Sequence, residues 1–99
     1  MFTRILRIQI KPDEIDAAAM LFEESVVPLC KNQKGFRGAQ YLADRSTGSG
    51  LLFTFWETEE DMLASERSRF FQEQVARFIA FFTAPPIRES FEVIFVDLK

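Results

Sequence analysis

The 99-residue chain contains no histidine. The side chains left to do chemistry are carboxylates, lysines, arginines, one tyrosine, one tryptophan and one cysteine. That removes Ser-His-Asp catalysis, imidazole proton transfer, the usual haem ligand and the commonest soft-metal ligand. Seven of the fifteen carboxylates fall in two clusters, Asp13, Glu14 and Asp16, then Glu57, Glu59, Glu60 and Asp61. Each opens a predicted helix, where the helix dipole and capping account for acidic residues. The spacing of the second cluster matches no calcium or magnesium loop, so no metal site is expected. Cys30 follows a helix end, where the dipole does not favour a thiolate, and is not a candidate nucleophile. No catalytic residue is assigned.

Three residues remain as candidates for substrate binding: Trp56, Arg4 and Tyr41. Trp56 ends an apolar run, where its ring either packs under the following helix or forms a wall against an aromatic substrate; its indole N–H needs one partner. Arg4 shares strand parity with Leu6, Ile8 and Ile10. It either snorkels to water from the strand end or holds an acidic or phenolate oxygen, since a guanidinium keeps its charge when partly buried. Arg7 has the opposite parity and is expected to pair with a carboxylate. Tyr41 is mid-strand and either packs across the hairpin or donates a hydrogen bond to a ligand.

The elements that must position these residues follow from periodicity. Phe2 to Ile10 alternates as a strand. From Asp13 to about Lys31, apolar residues recur at spacings of three and four, which predicts an amphipathic helix with Asp13 as N-cap and Pro28 as a kink or stop. FRGAQYLAD and LLFTFWE, joined by RSTGSG, predict a hairpin. Thr58 with Asp61, and Ser68 before FFQEQ, predict two helix starts, the longer helix reaching about Phe82. Arg69, Glu73 and Arg77 recur every four residues as an exposed face. RESFEVIFVDL reads as a fourth strand after Pro85-Pro86. The order β-α-β-β-α-β is the α+β, ferredoxin-like arrangement, with four antiparallel strands and the helices on one face.

Composition bounds the rest. Residues 1–99 are expected to form a single domain, small enough to bury only roughly 60–65% of its unfolded surface. Yet 47% of the chain is hydrophobic and twelve residues are phenylalanine. LLFTFW and FEVIFV are apolar on both alternating sets, so both sheet faces need cover. Helices supply one cover and a second subunit's sheet the other, which predicts a homodimer. A net charge of -3 without any basic block excludes nucleic acid as an expected partner. No apolar run approaches the roughly 20 residues of a membrane span, and the N-terminus alternates where a signal peptide would be continuously apolar. A single cysteine fits a reducing compartment, so the expectation is a cytoplasmic protein with no membrane partner.

The run KGFRGAQYLADRSTGSGLLFTFWETEEDMLASERSRFFQE resembles the antibiotic biosynthesis monooxygenase-like family of the dimeric α/β-barrel superfamily. The likeness rests on Gly35-Phe36-Arg37-Gly38 leading into the second strand, and on Trp56-Glu57-Thr58-Glu59-Glu60 closing the third. The resemblance implies two sheets packed into a dimeric barrel, with a small-molecule pocket in each subunit between sheet and helices. It also implies chemistry without a cofactor, in which a substrate enolate or phenolate activates O2 while the protein deprotonates, orients and excludes water. Haem degraders of the family carry an asparagine on the first strand and, after the motif, a tryptophan and an axial histidine. The corresponding helix positions here are Ser65 and Val75, and FTRILRIQI has no asparagine, so haem degradation is not expected. The asparagine that anthrone-type oxygenases keep before the motif tryptophan is replaced by Leu52.

Two functions of different class follow. One is a cofactor-independent monooxygenase acting on a small aromatic or quinol-like ligand, and the other a non-catalytic binding or accessory barrel. A cofactor-free isomerase is a further alternative, which requires a carboxylate or histidine inside the pocket.

Overall fold

A computed structural model describes residues 1–99. Four strands, β1 (Phe2–Gln9), β2 (Phe36–Ala43), β3 (Ser49–Trp56) and β4 (Ile87–Glu92), form one antiparallel sheet in the order β2-β3-β1-β4. This is the expected ferredoxin-like α+β topology, and the helices cover one face. The register explains which residues the helices cover. Arg4 lies opposite Thr54 on one side and Ser90 on the other, while Leu6 lies opposite Leu52. Even-numbered residues of the two central strands therefore face the helices together. Leu6, Ile8, Ile10 and Leu52 join Ile15, Ala18, Phe22, Val26, Cys30 and Phe78 in the core.

The first helix departs from the expected form at both ends. A 3₁₀ turn, Pro12–Glu14, precedes α1 (Ile15–Leu21), and Asp13 lies inside that turn without capping anything. Proline at the first position sets the turn, because its fixed φ is already helical and its missing N–H is not needed there. After α1 comes a π-helical turn, Phe22–Val26, followed by α2 (Val27–Cys30). The N–H of Val27 reaches back to the carbonyl of Phe22. The widened turn makes room for the ring of Pro28, which in a regular helix would strike the carbonyl four residues back. Pro28 therefore neither stops nor ends the helix; the chain absorbs it with one wide turn.

Thr58 caps α3 (Glu59–Arg67) as expected, accepting a hydrogen bond from the N–H of Asp61 at 3.1 Å. Ser68 does not start the next helix. It ends α3, and its hydroxyl donates to the carbonyl of Ser65. The break falls one residue later, at Arg69, whose φ of 70° is left-handed. That conformation turns the chain into α4 (Phe70–Ala76), which is shorter than expected and passes into a 3₁₀ turn at Ile79–Phe81. Arg69, Glu73 and Arg77 are exposed, as their spacing predicts. β4 is also shorter than its apolar sequence predicts. It ends at Glu92, and Ile94, Phe95 and Leu98 beyond it are exposed.

The hairpin turn between β2 and β3 depends on Gly48. Asp44 closes the turn by accepting from Ser46, and the N–H of Gly48 donates to the carbonyl of Asp44 at 2.8 Å. Gly48 has φ +79°, and a Cβ there would lie 1.9 Å from the carbonyl oxygen of Ile10. Gly48→Ala is expected to cost roughly 2–3 kcal/mol, from left-handed strain plus displacement of the Ile10 backbone. Urea unfolding measures this, and a loss below about 0.5 kcal/mol would show that the turn relaxes freely. No helix is long and apolar enough to cross a membrane.

Candidate functional site

Between the helix-covered sheet face and α4 lies a cavity of about 50 Å³. β1 contributes Arg4 and Leu6, and β3 contributes Leu52, Thr54 and Trp56. Phe22, Val26 and Cys30 close it from the first helix, so the π turn sits directly in its wall. α3 adds Ser65, while Phe70, Phe71, Gln74, Val75 and Phe78 form the outer wall. The four α4 positions follow the helical spacing of one and four, so a single face of that short helix looks inward, and Phe78 extends it just past the helix end. Phe70 and Phe71 in that wall are half-buried.

Trp56 is both part of the fold and part of the wall. It is 2% exposed, and its indole N–H donates to the hydroxyl of Thr54 at 3.0 Å. Its ring meets Phe36 edge-on, with centroids 5.7 Å apart. The two motif segments are tied at this point. The N–H of Glu57 donates to the carbonyl of Gly35 at 2.7 Å, and Phe36 follows Gly35 directly. The spacing of the glycine and tryptophan motifs thus has a packing cause.

Arg4 is 7% exposed and does not snorkel. One terminal nitrogen of its guanidinium bonds the carboxylate of Glu66, and the other donates to the carbonyl of Glu89 at 3.1 Å. Glu66 also accepts from Arg88 at 2.7 Å, so two guanidinium groups share one carboxylate. Both lie near the ring of Phe71, their central carbons 5.8 and 6.0 Å from its centroid. The cluster has a formal charge of one positive unit beside an apolar cavity, which suits an anionic ligand oxygen. Arg7, on the other face, pairs with Glu89 as its parity predicts.

Tyr41 is on the helix-covered side but one strand farther out, opposite Leu52, and does not line the cavity. Burial raises its phenol above the ordinary range. Cys30 does line the cavity, and burial pushes its thiol up to about 11, so it stays a neutral, unreactive wall group near neutral pH. Sequence reasoning singles out Arg4 and Trp56, which the structure brings together, but not Glu66, Gln74 or Thr54. Gln74 is visible in the sequence as the one polar residue among Phe70, Phe71, Val75 and Phe78, a break in an apolar helix face. Its side-chain oxygen has no hydrogen-bond partner, nor has the Nε of Arg4. A buried polar group left unpaired costs about 1–3 kcal/mol. Leu52, Ser65 and Val75, where the sequence departs from the pattern it resembles, all line this cavity.

A family model described as antibiotic biosynthesis monooxygenase matches residues 1–77. No curated protein matches the sequence. Solved structures share the fold. The ActVA-Orf6 monooxygenase of Streptomyces coelicolor, in complex with nanaomycin D, superposes with a TM-score of 0.73 at 18% identity, over 99% of this chain and 91% of that one. SnoaB, a cofactor-independent oxygenase from Streptomyces nogalater, gives 0.70 at 15% identity, over 96% and 94%. A protein of unknown function from Nitrosomonas europaea gives 0.71 at 20%, over 99% and 93%.

Proposed function

We propose, since the chain belongs to the antibiotic biosynthesis monooxygenase family, that its cavity binds a small aromatic, quinol-like molecule and oxidises it with O2 without a cofactor. The observation that carries this is the pairing of a mostly apolar cavity with the net positive Arg4–Glu66–Arg88 cluster on one side of it. For a ring methylene, the reaction with one molecule of O2 gives a ring carbonyl and one molecule of water. Both C–H bonds break, one oxygen atom becomes the carbonyl, and the other leaves as water with the two hydrogens. The substrate's electrons reduce O2, so the chain needs only to hold the substrate as its anion, orient it and keep water away. Arg4 holds the anionic oxygen, and Trp56 lies against the ring.

The second reading, a binding or accessory protein, needs no base in the cavity wall. No carboxylate lines the cavity, so no wall residue is an obvious base. The same feature weighs against an isomerase. The monooxygenase reading therefore requires a substrate acidic enough for Arg4 alone to favour its anion.

Oxygen uptake by purified protein against anthrones, naphthols and quinols separates the two. Uptake above the uncatalysed rate, reduced roughly tenfold or more in Arg4→Ala, is the expected result. Glu66 keeps Arg88 as a partner in that variant, so its carboxylate is not left unpaired. No uptake from folded protein would leave the binding module standing and remove the oxygenase.

The same reading includes a homodimer in the cytoplasm. On the sheet face away from the helices, the stacked Phe53 and Phe55 rings lie beside Ile5, with Ile87 and Phe91 exposed on β4. An apolar patch of this kind on a small domain calls for cover, and a second copy's sheet carries the same apolar residues. Light scattering is expected to give about twice the 11.5 kDa chain mass at micromolar concentration. A monomer would remove the dimer.

A further inference from the structure

We propose that Gln74 selects ligands carrying a hydroxyl group at the α4 side of the cavity, while the Nε–H of Arg4 holds an acceptor oxygen at the β1 side. This rests on the reading of the cavity as a ligand site and adds which polar groups the ligand must carry. Gln74 is 8% exposed and Arg4 7%, and both line the same cavity. The side-chain oxygen of Gln74 and the Nε of Arg4 are buried without partners. They belong to opposing elements, a helix and a strand, so two walls of one cavity hold one unmatched acceptor and one unmatched donor.

The polarity of the pair limits the ligand. Each terminal nitrogen of Arg4 already donates once, to Glu66 and to the Glu89 carbonyl, and Nε is the one guanidinium nitrogen with no partner, left for a carbonyl, phenolate or carboxylate oxygen. Gln74 is the only polar residue that α4 gives to the cavity. An amide turned through 180° would offer N–H instead, but a hydroxyl donates and accepts, so the same ligand group satisfies either orientation. The ligand class is a planar ring system with an anionic or carbonyl oxygen at one end and a hydroxyl at the other. A ligand lacking the hydroxyl leaves the amide unpaired, and that difference is the source of selectivity.

Calorimetric titration with 2-naphthoate and 6-hydroxy-2-naphthoate tests this, since the two differ only in the distal hydroxyl. The wild-type chain is expected to bind the hydroxylated compound about tenfold more tightly, equivalent to about 1.4 kcal/mol. Gln74→Leu, and Gln74→Met as a second variant, should abolish the preference while binding 2-naphthoate at least as well. Arg4→Met should weaken both ligands equally. A preference that is absent in wild type, or that survives in both Gln74 variants, overturns the role of Gln74 and leaves the site intact. Failure of folded wild-type protein to bind either naphthoate overturns the site and this inference with it.

Discussion

Glu66→Leu is expected to lower unfolding stability by about 3–5 kcal/mol, the usual cost of stranding one member of a buried ion pair. The side chain of Arg4 is 8% exposed and that of Glu66 13%, so water cannot replace the lost carboxylate at Arg4. Arg88, with its side chain half exposed, can turn into solvent and lose little. The asymmetry supplies a control. In Arg4→Met/Glu66→Leu neither buried charge remains, and most of the lost stability should return because apolar packing often substitutes for a buried pair. Urea unfolding followed by circular dichroism reads both variants. A single variant that loses less than about 1 kcal/mol would mean that Arg4 reaches water in solution, and the burial of the Arg4–Glu66 pair would be refuted with it.

Trp56→Ala should be as damaging, at about 3–5 kcal/mol, because it empties a site enclosed by Phe36, Thr54 and the cavity itself. Trp56→Phe keeps an aromatic ring against Phe36 and removes the indole N–H, leaving the Thr54 hydroxyl without that donor. A cost of about 1–2 kcal/mol is expected, and Thr54→Val in the same background should recover part of it by removing the unmatched acceptor. The ligand readout differs from the stability readout. If Trp56 only held the fold, Trp56→Phe would bind naphthoates as wild type does. If it also contacts the ring, affinity should fall several-fold in a protein that is still folded. Circular dichroism is the suitable probe, since the substitution removes the only tryptophan.

Both residues show what periodicity conveys. Strand parity places Arg4 on the same face as Leu6 and Ile8, and the register agrees. Parity carries no information about partners, however, and Glu66 lies 62 positions away in sequence. Its pairing with Arg4 turns an expected surface arginine into a buried one. Tyr41 shows the converse. Its parity is right, but it stands on the outer strand β2, opposite Leu52, beyond the cavity wall. Strand order, which no local pattern encodes, made that difference.

The amino-acid sequence by itself determined the element order, the antiparallel sheet and the Thr58 cap, because alternation, helical spacing and capping chemistry act over a few residues. It also determined the family, through the glycine and tryptophan motifs that pack on one another. Only the tertiary structure decided that Pro28 is absorbed by a π turn, that the helix break falls at Arg69, and that Gln74 and Arg4 each carry an unpaired polar atom at one cavity. The last of these depends on the distance between segments far apart in the chain, which is set when the sheet and helices close over a common core.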